Sequence, residues 1–429
     1  MSSVTQAFTT LLGAAAVMDW QSAEPALTAQ ISQATTSASS EVHCILYPTT
    51  PEQLSEAVAC AFQNRWRMLI CGSGSKLHWG GLTEGVQVVI STARLNRLIE
   101  FASGDLTVTA EAGLRLADLQ TKLAEAGQFL PVDPAYPLQA TLGGIVATAD
   151  TGAWRQRYGG LRDLVIGLTL VRSDGKLAKA GGRVVKNVAG YDLMKLFTGS
   201  YGTLGVLSQL SFRIYPLPAA AATLWITGQE ITHITAAILA SGLTPTAIEI
   251  LAAPTVKQLN LGEQMGLLIR FQTIEVSIQQ QMAQVTQIAQ QLGLSVTLVA
   301  EANLWQALRS LMDSPPPETP VTCKIGVEPA QAVAVLSQFQ QAGAGGVIHA
   351  SSGLGQIYLP VISSETLLKL RQITVAAGGF LSVLAAPIAL KQHIEVWGDA
   401  GDALGLMQRL KAQFDPENLL SPHRFIGKI

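Results

Sequence analysis

Between Asp133 and Pro218 glycine recurs at spacings that no amphipathic helix would choose. The stretch reads DPAYPLQATLGGIVATADTG, then WRQRYGGLRDLVIGLTLVRSDGKL, then GGRVVKNVAGYDLMKLFTGSYGTLGVLSQLSFRIYPLP. The glycines sit between apolar runs of strand character. They mark places where the backbone turns tightly, or where a neighbour comes too close for a Cβ. Such a stretch predicts walls and turns around a bound molecule.

The whole chain sets the bounds. Its 429 residues are enough for two or three domains with ample core. A net charge of −2 leaves no electrostatic case for nucleic acid or anionic lipid. Charged residues make up 14%, against a usual share of about a quarter. Mean hydropathy is +0.31. Two readings fit this apolar character: a large core with alanine-rich helices, or surface that a partner subunit covers. Cys44, Cys60, Cys71 and Cys323 include no CxxC pair, which speaks against an iron–sulfur cluster or structural zinc. They read as reduced thiols of a cytoplasmic protein. The N-terminus lacks a basic region and Asp19 follows the short apolar piece LLGAAAVM, so a signal peptide is not expected. The uncharged run Gln372–Leu390 is long enough for a bilayer, but Gly378, Gly379 and Pro387 divide it. A helix end plus a strand is expected there, and no transmembrane segment.

Along the chain, strand and helix signals interleave, so the class is α+β. Residues 1–40 hold one helix and a polar tract, QISQATTSASS, that reads as a linker or mobile arm. A strand begins at Val42. The next segment, TTPEQLSEAVACAFQNRW, predicts a helix with Thr50 as cap, Pro51 at its first position and Gln53 completing a capping-box pattern. Met68–Cys71 reads as a buried strand. LTVTAEAG alternates with period two, and LRLADLQTKLAEAG is an amphipathic helix that Gly127 stops. The pattern changes at Pro216–Pro218. A first domain over 41–219 and a second over 220–429 are expected, with a proline-rich loop, SPPPETP, inside the second.

Three segments carry the chemistry. Gly72-Ser73-Gly74-Ser75-Lys76 follows the Met68–Cys71 strand. A Gly/Ser turn there offers free backbone N–H groups and hydroxyls to a diphosphate, with Lys76 adding charge neutralisation. It is neither a Walker loop nor a Rossmann fingerprint, and an ordinary turn is the plain alternative. In the second, Ala140–Gly152, Gly143-Gly144 would let backbone lie against a flat ring or a diphosphate, and Thr141 and Thr148 add hydroxyls. It follows Asp133-Pro134 and Tyr136-Pro137. The third segment is Lys186–Leu193 with Gly199–Val206, where Lys186, Tyr191 and Asp192 would form a buried polar knot that shapes the fold. Arg213 reads as a strand-end partner.

The order of these motifs resembles the PCMH-type FAD-binding domain of the vanillyl-alcohol-oxidase family, over about residues 42–218 plus the tail FDPENLLSPHRF. The resemblance implies a PCMH-type FAD-binding domain of two α+β subdomains. A smaller α+β cap domain with an antiparallel sheet would follow, and a C-terminal segment, 413–426, would return to the FAD domain. It places the cofactor against Gly72, Ser73, Gly74, Ser75, Lys76, Asp133, Ala135, Thr141, Gly143, Gly144, Thr148 and Gly152, and against backbone near Val206. It implies FAD held non-covalently, since no His or Cys stands in the first loop and His78 is the nearest candidate.

Hydroxy-acid-oxidising relatives carry an H-x-G-D-G-N-x-H segment that supplies metal ligands, and none is found here. No metal and no assigned catalytic residue are therefore expected. His349 and His393 read as lone histidines in apolar stretches, the usual setting of satisfied core residues. His423 stands where relatives often have Gly, and Ser421 where Asn is commoner. HASSGLGQIYL and LSVLAAPIALKQHIEVWG resemble the second domain of FAD-binding E-type subunits of glycolate oxidase complexes. That implies three things: a sister flavoprotein subunit, an iron–sulfur subunit, and a small 2-hydroxy acid as substrate of the complex. The location would be cytoplasmic, with membrane contact only through the complex. Two alternatives stand beside it. One is a self-sufficient FAD-dependent 2-hydroxy-acid dehydrogenase, with His349, His393 or His423 as base. The other is a non-catalytic flavin-binding scaffold.

Overall fold

The computed structural model describes residues 2–36, 41–183, 190–360 and 363–429. The chain separates into two compact units. The first takes residues 1–151, 160–216 and 395–429, and the second takes 152–159 and 217–394.

Two larger sheets and a short two-stranded pairing of Gln128–Phe129 with Tyr215–Pro216 build the first unit. One contains β1 (Val17–Asp19), β2 (Cys44–Leu46), β3 (Met68–Cys71) and β4 (Val88–Ser91), in the order β1-β2-β4-β3. β4 runs parallel to both β2 and β3, and β1 is antiparallel to β2. The parallel strands are short apolar runs, as strands buried on both faces must be. The other sheet contains β5 (Leu98–Ala102), β6 (Thr107–Glu111), β7 (Val165–Val171), β8 (Leu177–Gly181) and β9 (Val206–Arg213). Its order is β5-β6-β9-β7-β8 and every pairing is antiparallel. Helix Pro51–Gln63 carries the expected cap: Thr50 Oγ1 accepts the Gln53 amide at 3.2 Å. Gln53 reaches back one residue further than a standard capping box, accepting the Thr49 amide at 2.9 Å. Leu54, Val58 and Ala61 are fully buried beneath that helix.

Both ends of this unit draw in more chain than the sequence suggested. The tract read as a mobile arm is anchored over its first half. Thr83 donates its amide to Ala34 O (2.8 Å) and Thr36 donates to Thr83 O (3.0 Å). Ile31 and Ala34 are buried. Residues 37–40 lie outside the described residues. At the other end, the tail joins from Glu395 onward. Met68 donates to Leu419 O and Ser421 donates to Met68 O, both at 2.7 Å. A buried ion pair fixes the bend that makes this possible. Lys411 Nζ lies 2.7 Å from Asp415 Oδ2 and donates to Thr203 O (2.9 Å) and Leu420 O (3.0 Å). Asp415 in turn accepts the Leu419 and Leu420 amides. Burial pushes the Lys411 ammonium below its usual pKa, and the Asp415 charge opposes that shift.

The second unit is one antiparallel sheet of eight strands: β10 (Ala220–Thr227), β11 (Ala247–Leu251), β12 (Gly266–Thr273), β13 (Ser295–Val299), β14 (Val321–Gly326), β15 (Gly345–His349), β16 (Leu354–Leu359) and β17 (Phe380–Ala385). The order is β13-β10-β12-β11-β15-β16-β14-β17. Helices Ile231–Leu239, Glu275–Gln291, Ala332–Gln341 and Ser364–Ala376 pack against it. Helix Glu301–Asp313 places Leu308 and Met312 on Trp225, Leu268, Val347 and Tyr358. The uncharged run 372–390 divides into the end of a helix, then β17, then the start of a short helix. Among the described residues no helix is long and apolar enough to cross a membrane.

Removing one partner of a buried pair leaves the other charge unpaired, at a cost of about 3–5 kcal/mol. Asp415→Ala should lower unfolding stability by that order, read from the denaturant midpoint of the first unit's transition. A loss below about 1 kcal/mol would show that the tail is held by other contacts.

Candidate cofactor-binding site

A cleft of about 730 Å³, open to solvent, lies within the first unit. Its walls come from the end of β3 and the loop after it, the Ala140–Thr148 segment, the Ser200–Leu207 segment, and Arg424 from the tail.

The first loop lies against this cleft from Gly72 to Leu77. The amides of Ser73, Gly74 and Ser75 donate to no acceptor among the described residues. Three successive unspent N–H groups in a turn form an anion-binding concavity. Two serine hydroxyls fix the loop. Ser73 Oγ donates to Gln139 O (2.6 Å), and Ser91 Oγ donates to Gly72 O (2.7 Å). Gly72 is required on packing grounds, because a Cβ there would sit 2.1 Å from Thr141 Oγ1.

The second wall is helix Leu142–Thr148, capped by Thr141, whose Oγ1 accepts the Gly144 amide at 3.3 Å. Its two glycines do different things. A Cβ on Gly143 would meet Ala112 Cβ at 2.9 Å, so Gly143 seats the helix against the strand side of the wall. A Cβ on Gly144 would meet only Thr141 Oγ1, at 3.2 Å, and otherwise open space. Gly144, not Gly143, is thus the position with room for a side chain on the cleft wall.

Lys76 behaves differently from a free countercharge. It is buried, with Nζ 2.6 Å from Asp150 Oδ2 and 3.4 Å from Thr148 Oγ1. Asp150 also accepts the Ala135 amide at 2.8 Å, tying the two glycine-rich segments together.

Four expected residues lie away from the cleft walls. Asp133 and Ala135 support the turn behind it: Asp133 donates its amide to Thr151 O. Val206 is fully buried in the core, and its neighbours Gly205 and Leu207 line the cleft instead. Gly152 has φ +78 and belongs to the second unit. The polar knot is not there to shape the fold. Tyr191 is 91% exposed, and Asp192 forms an exposed ion pair with Lys195 (2.9 Å). Lys186 lies outside the described residues. Arg213 stacks over Tyr215 at 4.7 Å, a strand-end contact.

Sequence reasoning missed Cys71, Tyr201 and Arg424 in the cleft. Burial pushes the Cys71 thiol up to about 12, so it stays protonated. Tyr201, with φ +52, is raised by burial and stacks among Trp397 (4.6 Å) and Phe425 (5.9 Å). His78 pairs with the Tyr136 hydroxyl at 3.1 Å, outside the cleft walls. The two tail positions that depart from relatives both have positive φ, +44 at Ser421 and +67 at His423. Asn and Gly adopt that conformation most cheaply. Ser421 Oγ accepts the Ile70 amide (3.2 Å), and His423 pairs with Glu84 (3.2 Å).

Residues 42–181 match the model of an FAD binding domain, and residues 398–425 match the model of the C-terminal domain of FAD linked oxidases. The chain carries an FAD-binding domain. Its fold is that of the PCMH-type flavoproteins. It superposes on 4-ethylphenol oxidase from Gulosibacter chungangensis with a TM-score of 0.72 at 15% identity, covering 98% of this chain and 96% of that one. On substrate-bound p-cresol methylhydroxylase the score is 0.71, with the same identity and coverage. By sequence, the chain is 37% identical over 174 residues to glycolate oxidase subunit GlcE of Escherichia coli, covering 40% of this chain and 49% of that protein. It is 29% identical over 226 residues to glycolate oxidase subunit GlcD of Bacillus subtilis, covering 52% and 48%. It is 28% identical over 258 residues to the mitochondrial D-lactate dehydrogenase [cytochrome] of Arabidopsis thaliana, covering 58% and 44%. The chain thus spans about half the length of the curated relatives it matches. The unspent amides of the first loop and the open face of Gly144 fit an FAD diphosphate and its flat ring.

In Gly144→Leu the new side chain should displace FAD while the melting temperature of flavin-free protein changes little. In Gly143→Val the flavin-free protein itself should melt lower, because the clash is with Ala112. The flavin-to-protein absorbance ratio and thermal melts of stripped protein separate the two. Full flavin occupancy in Gly144→Leu would take that residue out of the ligand wall.

Proposed function

We propose that this chain is the FAD-binding E subunit of a glycolate oxidase complex, contributing to oxidation of glycolate to glyoxylate. Its FAD is bound non-covalently, and electrons leave through a carrier. The partners are a sister flavoprotein subunit and an iron–sulfur subunit. The complex is cytoplasmic, and any membrane contact is made through those partners. The observation that carries this reading is the likeness to GlcE, 37% identical where the D-lactate dehydrogenase relative is 28%. One feature fits the non-covalent binding of FAD. The one thiol at the cleft is held protonated and so is a poor nucleophile toward a flavin ring.

FAD, when bound, supplies the acceptor for the hydride equivalent that a hydroxy acid loses. The chain's own residues bind and orient it. The Ser73–Ser75 amides would hold the diphosphate and Gly144 would leave room for the ligand, while Thr141 and Thr148 stay engaged in holding their helix. Tyr201, packed against the half-buried rings of Trp397 and Phe425, forms the tail side of the cleft.

One observation favours a second reading, the self-sufficient 2-hydroxy-acid dehydrogenase. In the second unit, His349 Nδ1 lies 2.7 Å from Glu249, a fully buried carboxylate opposite it across β11 and β15. A carboxylate accepting the Nδ1 proton leaves Nε2 as the basic nitrogen. His393 is exposed and has no such orienting carboxylate among the described residues.

Visible spectra of the purified chain, before and after anaerobic glycolate, test both. Flavin bands that stay oxidised until partner subunits are added support the subunit reading. Bleaching of the lone chain establishes the second. A chain that takes up no FAD at all would be a scaffold and would overturn both. A general base contributes roughly 10²–10⁴-fold, so His349→Ala should leave the assembled complex within about tenfold of wild type if the first reading holds. A loss of about three orders of magnitude would establish His349 as the base.

A further inference from the structure

Two buried cations line the FAD cleft, and only one is neutralised by the protein. Lys76 has Asp150 at 2.6 Å. Arg424 has only carbonyls. Its Nη1 donates to Gly81 O (3.2 Å), and its Nη2 to Leu77 O (2.7 Å) and Lys76 O (3.5 Å). A guanidinium has five N–H donors, so three are spent on backbone and the Nε–H and one Nη1–H remain. No carboxylate pairs with it among the described residues, although its side chain is almost wholly buried. A buried cation without a countercharge is costly unless a ligand supplies one.

The chain invests heavily in holding it there. The Arg424 carbonyl accepts from Gly81 N and from Trp397 Nε1, both at 3.1 Å. The preceding tail is pinned to β3 by the bonds at Leu419 and Ser421. The carbonyls that grip the guanidinium belong to Lys76 and Leu77. They directly follow the three unspent amides of Ser73, Gly74 and Ser75. Positive charge and open N–H donors thus converge from two distant parts of the chain. Burial lowers the Arg424 pKa to about 10, which leaves the group charged at neutral pH.

We propose that Arg424, and not Lys76, is the counter-cation of the FAD diphosphate. It rests on the FAD-binding reading. It assigns a cofactor role to a tail residue and gives Lys76–Asp150 a structural one. Arginine suits the task because its fork donates to phosphate oxygens while its other donors stay on the backbone.

The test titrates flavin-free protein with FAD and with ADP, which carries the diphosphate without the ring. Charge-assisted bonds to phosphate are strong, so Arg424→Met should weaken both ligands by roughly tenfold to a hundredfold. Arg424→Lys should recover part of that loss. Asp150→Asn in the Arg424→Met background should also recover part, by freeing Lys76. Unchanged affinity for both ligands in a folded Arg424→Met would overturn the proposal. So would weakened FAD with unchanged ADP, which would put the guanidinium at the ring. If Arg424→Met does not fold, the wild type decides. FAD and ADP affinities that fall with rising salt support the assignment, and salt-independent affinities overturn it. A wild-type chain that binds neither ligand would instead sink the FAD-binding reading itself.

Discussion

The buried pair between Lys411 and Asp415 holds the first unit's site together. Asp415 gathers the Leu419 and Leu420 amides, and Lys411 reaches the carbonyls of Thr203 and Leu420. The pair turns the end of helix Leu404–Phe414 into the tail that runs beside β3. Ser421, His423 and Arg424 then fall where they do because the chain has no other direction to take. Two of those three residues accept a left-handed backbone to make the turn. Such strain persists only where surrounding contacts over-determine it.

Close packing, more than ligand contact, explains much of the glycine pattern. Gly72 makes room for Thr141, and Gly143 makes room for Ala112. Thr141 then caps the helix that carries Gly144 to the cleft. The first loop, free of packing duties on its amides, keeps three N–H groups for an anion. Lys76 and Asp150 cancel each other and stitch the glycine-rich segments, which leaves the net positive charge of the cleft to Arg424.

The second unit contributes a sheet whose central pairing brings Glu249 and His349 into register. A hundred residues separate them in sequence, so no motif scan joins them. The same holds for His423 and Glu84. His349 looked isolated, and the pairing of His423 went unseen, because an ion pair across strands or between a tail and a loop leaves no local spacing to read.

Local rules made a good part of the molecule legible. The cap at Thr50 with Pro51, the buried run Met68–Cys71, the alternation in Thr107–Glu111 and the stop at Gly127 each obey short-range stereochemistry. The order of the glycine-rich segments pointed to an FAD-binding domain through its resemblance to a known family, and not through any local rule. Tertiary structure decided the rest. Whether a glycine faces a ligand or a neighbouring strand depends on packing across the unit, as Gly143 and Gly144 show. Whether a lysine is a countercharge or half of an internal pair depends on where Asp150 lies. That the decisive cation comes from residue 424 depends on a tail returning to β3, and long-range return of a chain leaves no periodicity in its sequence.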